Sequence, residues 1–305
     1  MAAPVVVLAG GTGGAKLACG LLEEAGADLV VVANTGDDIE IHGGYVSPDP
    51  DLVTFWLAGR IDERGWGLHG DTFHVMDGLR ELGENVWFNL GDRDLALCVR
   101  RARRLAEGAR LTEAIDEARR AYGVNARVLP ASDDPVRTQV KADGRWWPFQ
   151  EFMIRHRARG PVEGVEFAGA PDATVTPEVL DALAGARAIV IGPSNPVISI
   201  GPMLAVPGLR EALVGASAPV VAVSPLVGGQ VLKGPTEAFL EHAGAPLTAD
   251  GIAGIYEGLV DGLVADERAD GVPTLETDVH MADAEGRRRV ARETLKFAAA
   301  LSARR

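Results

Sequence analysis

The sequence predicts an α/β fold: a Rossmann-like, mainly parallel β-sheet with a smaller, mostly helical inserted lobe. Short apolar runs alternate with segments whose apolar residues recur at helical spacing, which is typical of parallel sheets. The first run, residues 5–9, leads through a glycine-rich turn into a helical pattern that continues from Leu17. The 305 residues suffice for a large core, and the composition, 47% hydrophobic and 24% charged, is ordinary for a globular enzyme.

Six short apolar segments are predicted as the strands of this sheet, because each has strand length and is followed by turn residues. In chain order they are residues 5–9, 29–34, 188–191, 220–224, 263–266 and 275–278. They lie in the first and last parts of the chain. We therefore assign residues 1–58 and 166–305 to one Rossmann-like, nucleotide-type core.

Helices are predicted between these strands, and two of them have recognisable first residues. Thr176 precedes a proline in the first turn, and Thr248 can cap the segment that runs to Leu259. The last helix, roughly residues 282–301, carries five basic side chains, which we interpret as a solvated face.

The middle of the chain has a different pattern. Helical spacing recurs in residues 71–82, 92–107 and 112–122, and a β-hairpin over residues 136–154 is predicted to turn at Asp143-Gly144. We therefore predict that residues 59–165 form the smaller inserted lobe, which lies over the core.

Charge and composition argue against some classes of function. A net charge of −13 argues against a nucleic-acid surface, which needs clustered basic residues. No apolar run reaches about eighteen residues, so no membrane span is expected, and the first apolar run is predicted to be a buried strand and not a signal peptide. Cys19 and Cys98 both lie in predicted helices, a pattern that favours reduced thiols in a cytoplasmic protein.

The glycine-rich turn at residues 10–14 is the strongest functional motif. A strand, a glycine turn and a helix in that order form a phosphate cradle, because glycine lets the backbone approach a diphosphate and the helix offers unpaired N–H groups. The turn matches neither the G-x-G-x-x-G nor the P-loop pattern. The alternative is a tight turn that only packs the helix on the strand.

Four carboxylates follow the second predicted strand within fifteen positions: Asp37, Asp38, Asp49 and Asp51. Open α/β sheets bind ligands at such loops. Carboxylates without basic neighbours repel one another unless a cation lies between them, and an all-oxygen ligand set suits Mg²⁺. The alternative is that aspartate and proline simply form turns here.

Two further motifs carry polar groups. In Asn89-Leu-Gly-Asp-Arg-Asp, the guanidinium of Arg93 could bind a phosphate or an aromatic ring. In Gly-Pro-Ser-Asn-Pro, Ser194 and Asn195 follow an apolar strand and could hydrogen-bond a nucleotide base or phosphate. A turn without a ligand would use the same residues.

Considered together, these motifs resemble the 2-phospho-L-lactate transferase family. The motifs are GGTGGAK, ANTGDD, SPDPD, NLGDRD, LPASDD, FQEF, GPSNPVISIGP and SPLVGGQVLKGP. The resemblance runs from Gly10 to about Asp278 and covers nearly the whole chain. Eight motifs in the same order are specific, whereas no single one would be.

The resemblance implies a transferase of substituted phosphate groups that acts in coenzyme F-420 biosynthesis. The donor would be enolpyruvyl- or lactyl-diphosphoguanosine, the acceptor the ribityl hydroxyl of the deazaflavin FO, and the leaving group GMP. Magnesium as cofactor, a homodimer and a cytoplasmic location are the further expectations. Neither nucleic acid nor membrane is an expected partner.

The resemblance also implies roles for individual residues. Asp51 would be catalytic and would contact FO together with Asn89 and Arg93, so that the lobe contributes to the deazaflavin site. Position 89 is basic in many family members, and its replacement by asparagine shifts the expected charge to Arg93. The remaining roles are Gly11, Thr12, Gly13, Ser194 and Asn195 for the nucleotide donor, and Asp37, Asp38 and Asp49 for the metal.

Two alternatives from other functional classes stay open. The related gluconeogenesis-factor proteins share the glycine turn and a GPSNP-like motif but would bind a nucleotide sugar as regulators; the SPDPD and GDRD motifs speak against them. An NAD-dependent oxidoreductase would need an acidic residue at the end of the second strand. That strand ends in Asn34-Thr35.

Overall fold

A computed structural model describes residues 3–232 and 234–303 of the chain. Its strands are β1 (Val5–Ala9), β2 (Leu29–Ala33), β3 (Ile39–Ile41), β4 (Gly44–Val46), β5 (Arg127–Pro130), β6 (Arg137–Ala142), β7 (Arg145–Pro148), β8 (Gly164–Ala168), β9 (Ala188–Ile191), β10 (Val220–Val223), β11 (Leu226–Val227), β12 (Gln230–Val231), β13 (Gly262–Ala265) and β14 (Thr274–Glu276). Its helices are α1 (Gly11–Ala25), α2 (Pro48–Leu57), α3 (His74–Glu81), α4 (Asp92–Ala106), α5 (Leu111–Ala121), α6 (Phe149–Ile154), α7 (Pro177–Ala184), α8 (Gly201–Leu204), α9 (Leu209–Val214), α10 (Thr236–His242), α11 (Ala249–Ile255) and α12 (Ala284–Ser302).

Seven strands form one parallel sheet in the order β14-β13-β10-β9-β1-β2-β5. Every residue of β1, β2, β9, β10 and β13 is buried, because helices cover both faces of the sheet. The predicted α/β fold class is confirmed. All six predicted strands are present, with ends that differ by at most two residues.

Alternate residues of β1 show the two layers. Val5 and Val7 pack in the cluster that includes Leu17 of α1 and residues of α2, α5 and α12. Val6 and Leu8 pack in the other cluster, with residues of α7, α9 and α11. The sheet therefore separates two apolar cores.

The strand β5 was not predicted, and it corrects the account of the middle of the chain. Its residues pair in parallel with β2 at the edge of the main sheet. Arg127 and Pro130 at its two ends hide the apolar pattern of a strand only four residues long. Residues 127–130 thus belong to the main sheet although they fall within the range 59–165. The division of the chain into two domains stays a prediction.

The predicted hairpin is confirmed, and its second strand is shorter than expected. β6 and β7 are antiparallel and are joined by Asp143 and Gly144, both with positive φ. Pro148 ends β7 because it has no N–H for the ladder, and residues 149–154 form α6. β8 adds a third strand on the other side of β6.

The structure confirms one of the two predicted capping threonines. The Thr248 hydroxyl accepts the Gly251 N–H at 3.2 Å. The Thr176 hydroxyl makes no capping bond and instead lies 3.5 Å from the carbonyl oxygen of Pro130. Thr176 therefore links α7 to β5.

The basic residues of α12 bind acidic partners on the same chain. Arg288 pairs with Glu23, and Arg292 with Glu24 at 3.3 Å, which joins α12 to α1. About half of each arginine side chain is exposed, in line with a solvated face.

The two cysteines are free thiols, as the sequence predicts: Cys98 is buried and Cys19 is half-buried. Among the described residues, no helix combines the length and apolar character that crossing a bilayer requires.

The contact between α1 and α12 allows a test of packing. A Cβ at Gly20 would lie 2.2 Å from the carbonyl oxygen of Arg287. We expect Gly20→Ala to lower the free energy of unfolding by about 1–3 kcal/mol, because overpacking moves a helix backbone. The matched control is Gly78→Ala in α3, where a Cβ meets nothing within 4 Å; it should be neutral or stabilise by about 0.5–1 kcal/mol. Urea unfolding measures both, and equal effects would contradict this packing.

Candidate active site

A large cavity opens at the carboxyl end of the sheet, beside β1 and β9. The chain leaves β1 toward β2 on one side and has β9 on the other, which makes this a topological switch point. The cavity measures about 500 Å³. Its lining includes Gly10, Gly11, Thr12, Gly13, Lys16, Asp37, Ser194, Asn195, Ser199 and Ser224.

The glycine turn is tighter than the sequence indicated, because α1 begins at Gly11 directly after β1. Gly11 has φ +61, and a Cβ there would meet nothing within 4 Å. Gly13 is different: its φ is not positive, and a Cβ would lie 2.1 Å from the carbonyl oxygen of Pro193. Gly13 therefore permits the close approach of α1 to the loop after β9.

The first-turn N–H groups of α1 point to an anion site. Such groups have no acceptor inside the helix and carry the positive end of the helix dipole. The N–H of Gly10 donates to the Ser194 hydroxyl at 3.0 Å, and that of Gly11 to Asp49 at 2.7 Å. Thr12 and Gly13 follow in the same turn and line the cavity. The segment therefore packs α1 against the loop after β9, and its role as a phosphate cradle stays a prediction.

Asp37 and Asp49 share one amide donor beside this turn. The side-chain N–H₂ of Asn34 donates to each of them at 3.0 Å. Burial raises the pKa of Asp49 to about 6, against the hydrogen bonds from Gly11 and Asn34. Burial, and next the charge of Asp49, raise the pKa of Asp37 well above its ordinary value. Two carboxylates with an amide between them offer hard oxygen ligands to a cation.

Asp38, the third predicted metal ligand, has different surroundings. It accepts a hydrogen bond from Ser47 at 2.8 Å and lies near Arg137. Burial raises its pKa to about 7, and Arg137 acts in the opposite direction. Its second oxygen is buried without a partner. In the described part of the chain, the oxygens of the three predicted ligands do not converge to within 4.8 Å.

Asp51 lies in α2 and is buried, whereas the sequence placed it on a loop. The segment Ser-Pro-Asp-Pro-Asp starts the helix, with Pro48 in the first position. Both oxygens of Asp51 accept bonds from Arg101, one of them at 2.9 Å. The expectation of a loop residue is therefore wrong. The catalytic role stays a prediction.

Arg101 is the main residue that the sequence analysis missed. Only 1% of it is exposed, and it reaches from α4 to Asp51 and to the carbonyl oxygen of Tyr45 at 3.0 Å. The signal in the sequence was that Leu95, Cys98 and Arg101 follow one another at three-residue spacing. This places a charged residue on the apolar face of α4. A cation on such a face needs a buried anion as its partner.

Asp94 and Cys98 extend this network. The thiol of Cys98 donates to Asp94 at 3.9 Å, and one ligand atom each of Asp51, Asp94 and Cys98 lie within 4.8 Å of one another. Burial, and next the charge of Asp51, raise the pKa of Asp94 to about 7. Burial likewise raises the pKa of the Cys98 thiol. Arg101 pairs with Asp51, so the group consists of the Asp94 carboxyl and the Cys98 thiol beside a buried ion pair.

Asn89 and Arg93 are exposed, whereas Asp51 in α2 is buried. The side-chain oxygen of Asn89 accepts from Arg80 at 2.8 Å, and the backbone N–H of Arg93 donates to Asp71 at 3.0 Å. The structure does not bring these two residues together with Asp51 around the large cavity.

Ser194 and Asn195 line the cavity, but their side chains bind the protein. The Ser194 hydroxyl accepts the Gly10 N–H. The Asn195 oxygen accepts two backbone N–H groups at 2.9 and 3.1 Å, and its nitrogen donates to Thr236 at 3.3 Å. All five predicted donor-binding residues therefore surround one cavity, and these two also hold its loop in place.

Comparisons with known proteins agree with the motifs. Residues 5–296 match the family described as 2-phospho-L-lactate transferase CofD. A 2-phospho-L-lactate transferase of Methanopyrus kandleri is 39% identical, over 96% of this chain and 97% of the relative. A phosphoenolpyruvate transferase of Streptomyces coelicolor is 40% identical, over 96% and 98%. Among solved structures, a UPF0052 family protein of Bacillus halodurans has a TM-score of 0.63 at 18% identity, over 97% and 99%, a likeness of fold alone. The resemblance predicted from the motifs is confirmed.

The buried ion pair leads to a prediction for Asp51. Asp51→Ala leaves the Arg101 guanidinium buried without an anion, so we expect a loss of about 3–5 kcal/mol in the free energy of unfolding. The double variant Asp51→Leu with Arg101→Met should recover most of this loss, since it removes both charges. Chemical denaturation of the three proteins measures the loss and its recovery. Equal stability of the wild type and Asp51→Ala would show that the pair contributes nothing.

Asp94 should make stability depend on pH. Its folded-state pKa of about 7 lies above the ordinary value of 3.8, so its ionisation destabilises the fold as the pH rises through this window. Asp94→Asn should therefore stabilise the protein at pH 8 by on the order of 1 kcal/mol, roughly 2 °C in Tm, and leave it unchanged near pH 4. Asp172→Asn, at an exposed position, is the control. A gain of equal size at both pH values would contradict this assignment.

Proposed function

The chain belongs to the 2-phospho-L-lactate transferase CofD family, and we propose that it transfers a phosphoenolpyruvyl or 2-phospholactyl group to FO. The donor is the corresponding diphosphoguanosine ester, the acceptor is the terminal ribityl hydroxyl of FO, and GMP leaves. The reaction forms the phosphodiester of coenzyme F-420 biosynthesis. A homodimer and a cytoplasmic location remain predictions.

The observation that carries this proposal is that a helix N-terminus and Asp37 line one cavity, while Asp49 accepts the Gly11 N–H of the same helix terminus. The first-turn amides of α1, which include those of Thr12 and Gly13, suit the negative charge of a diphosphate. Asp37 and Asp49 lie beside them, joined by Asn34. Carboxylates next to a diphosphate repel it unless a cation lies between, so this arrangement supports a metal-bridged phosphate ester.

Asp37 and Asp49 fit a magnesium ion better than Asp38 does. Burial raises the pKa of both carboxyls, and their hydrogen-bond partners are the Asn34 amide and the Gly11 backbone N–H. Asp38, in contrast, has Arg137 and Arg101 nearby. When bound, Mg²⁺ would neutralise charge on the donor diphosphate. Asp37 and Asp49 would hold the ion.

The transfer needs positioning more than covalent chemistry by the protein. The ribityl hydroxyl oxygen forms a bond to the phosphorus that carries the three-carbon acid, the bond from that phosphorus to the GMP oxygen breaks, and the hydroxyl proton passes to solvent water. The first-turn amides of α1 hold the diphosphate. The resemblance assigns the contact with the FO hydroxyl to Asp51, which Arg101 holds by both oxygens.

The direct test of the proposed function is product formation from each of the two donors. The protein is incubated with FO, Mg²⁺ and either enolpyruvyl- or lactyl-diphosphoguanosine, and the product is identified by mass spectrometry. We expect the FO phosphodiester of one or both acids together with GMP. Failure to form product from either donor would contradict the proposed function.

Metal dependence is tested in the same assay. Excess EDTA should abolish turnover and added Mg²⁺ should restore it. Asp49→Asn keeps a similar shape but removes one charge, so we expect it to raise the Mg²⁺ concentration needed for half-maximal turnover by about tenfold or more. Asp172→Asn serves as the control. Full turnover in excess EDTA would exclude the metal role, whereas an unchanged Mg²⁺ requirement of Asp49→Asn would remove Asp49 from the metal site.

A further inference from the structure

A network of charged side chains, separate from the described lining of the large cavity, lies between α2, α4 and the β3-β4 hairpin. Arg101 is its centre. The guanidinium donates to both oxygens of Asp51 and to the carbonyl oxygen of Tyr45. A guanidinium is planar and its N–H groups point in fixed directions, so three acceptors on two elements determine its orientation. Arg101 is therefore held in one position.

The Asp51 carboxylate depends on this one residue for its orientation. Within the part of the chain that the structure describes, its two oxygens accept hydrogen bonds only from Arg101. Asp49, two positions earlier, is held differently: one oxygen accepts from Gly11 and the other from Asn34. The loss of one donor leaves Asp49 with the other, whereas a change at Arg101 frees both oxygens of Asp51.

The β3-β4 hairpin fixes the other side of the Arg101 guanidinium. Tyr45 contributes its carbonyl oxygen at 3.0 Å, and its hydroxyl accepts a hydrogen bond from Arg137 of β6 at 3.1 Å. The Arg137 guanidinium also faces the Tyr45 ring, 5.5 Å from its centre. Asp38 lies near both arginines. The position of Arg101 is thus tied to the loop that also carries Asp37.

Stability alone does not explain this network. Burying an ion pair costs solvation that the attraction between the charges often fails to offset, so apolar side chains of similar volume would often serve the fold as well. Arg101 also buries its Nε without a hydrogen-bond partner among the described residues, and an unpaired buried donor is destabilising. An arrangement with these costs is explained by what it orients, which is the Asp51 carboxylate.

We propose that Arg101 is a positioning residue of the transfer, which holds the Asp51 carboxylate in the orientation that meets the acceptor hydroxyl. This role rests on the proposed function, which supplies the contact between Asp51 and that hydroxyl. Arg101 contributes geometry as well as charge. A lysine would supply the charge as a single point and could not hold two oxygens in parallel.

Arg101→Lys tests the geometry at constant charge. Turnover is measured at varied concentrations of FO and of the diphosphoguanosine donor. We expect kcat to fall by about 100-fold, the scale reached when a reacting group is displaced by about 1 Å, and the KM for the donor to stay within about twofold. Arg104→Lys is the matched control on the same helix, because Arg104 donates to both oxygens of the partly exposed Glu117, at 3.2 and 3.0 Å. It should leave kcat and KM unchanged.

Asp51→Glu is a second variant, which keeps the ion pair and moves the carboxylate by one methylene. It should lower kcat by a similar factor, so it decides the question if Arg101→Lys does not fold. Each kcat is divided by the folded fraction, which circular dichroism in a urea titration measures. Wild-type kcat in folded Arg101→Lys or in folded Asp51→Glu would overturn the proposal.

A double-mutant cycle separates positioning from a merely structural role. Asp51→Asn keeps an oxygen acceptor for Arg101 but removes the carboxylate, and it should lower kcat by about 100-fold or more. In this background Arg101 has no carboxylate to position, so the addition of Arg101→Lys should change kcat by less than about twofold. If Arg101→Lys lowers kcat by the same factor in both backgrounds, its role is structural and the proposal is overturned.

The same measurements separate this proposal from the proposed function. If the wild type forms product and Asp51→Asn keeps the wild-type kcat, the transfer stands and the roles of Asp51 and Arg101 fall. If Asp51→Asn loses activity and Arg101→Lys does not, the role of Asp51 stands and positioning by Arg101 falls. If the wild type forms no product from either donor, the proposed function and the positioning role fall together.

Discussion

The close approach of α1 to the loop after β9 is the constraint on which the site depends. Gly13 has no space for a side chain because the carbonyl oxygen of Pro193 occupies it. This contact brings Ser194 to the amide of Gly10, and the turn brings Asp49 to the amide of Gly11. A helix N-terminus, a hydroxyl and a carboxylate thereby meet at one point. A bulkier residue at position 13 would separate them all.

Much of the fold could be predicted from local patterns. Apolar runs of strand length identified six of the seven strands of the main sheet, since strands buried on both faces are continuously apolar. β5 escaped because it has four residues with arginine and proline at its ends. The hairpin was recognised from its turn residues, Asp143 and Gly144, because few other residues tolerate positive φ there.

The sequence predicted the position of some candidate residues better than their contacts. The glycine turn and Ser194 and Asn195 line one cavity, because the carboxyl ends of parallel strands share an edge. The motifs could not show that the side-chain oxygen of Asn195 accepts backbone N–H groups. Nor could they show that Asp51 is paired with Arg101, fifty positions along the chain. Partners so distant in sequence leave no local pattern, apart from a charge on an apolar helix face.

The pairing of Arg101 with Asp51 also affects how the molecule unfolds. α4 cannot leave α2 without placing an unpaired guanidinium and an unpaired carboxylate in a partly apolar environment. Partial opening between these helices is therefore nearly as costly as larger unfolding, which makes them one cooperative unit. Backbone amides of α2 and α4 would then exchange their hydrogens with solvent at similar free energies, although 34 residues of chain separate the two helices.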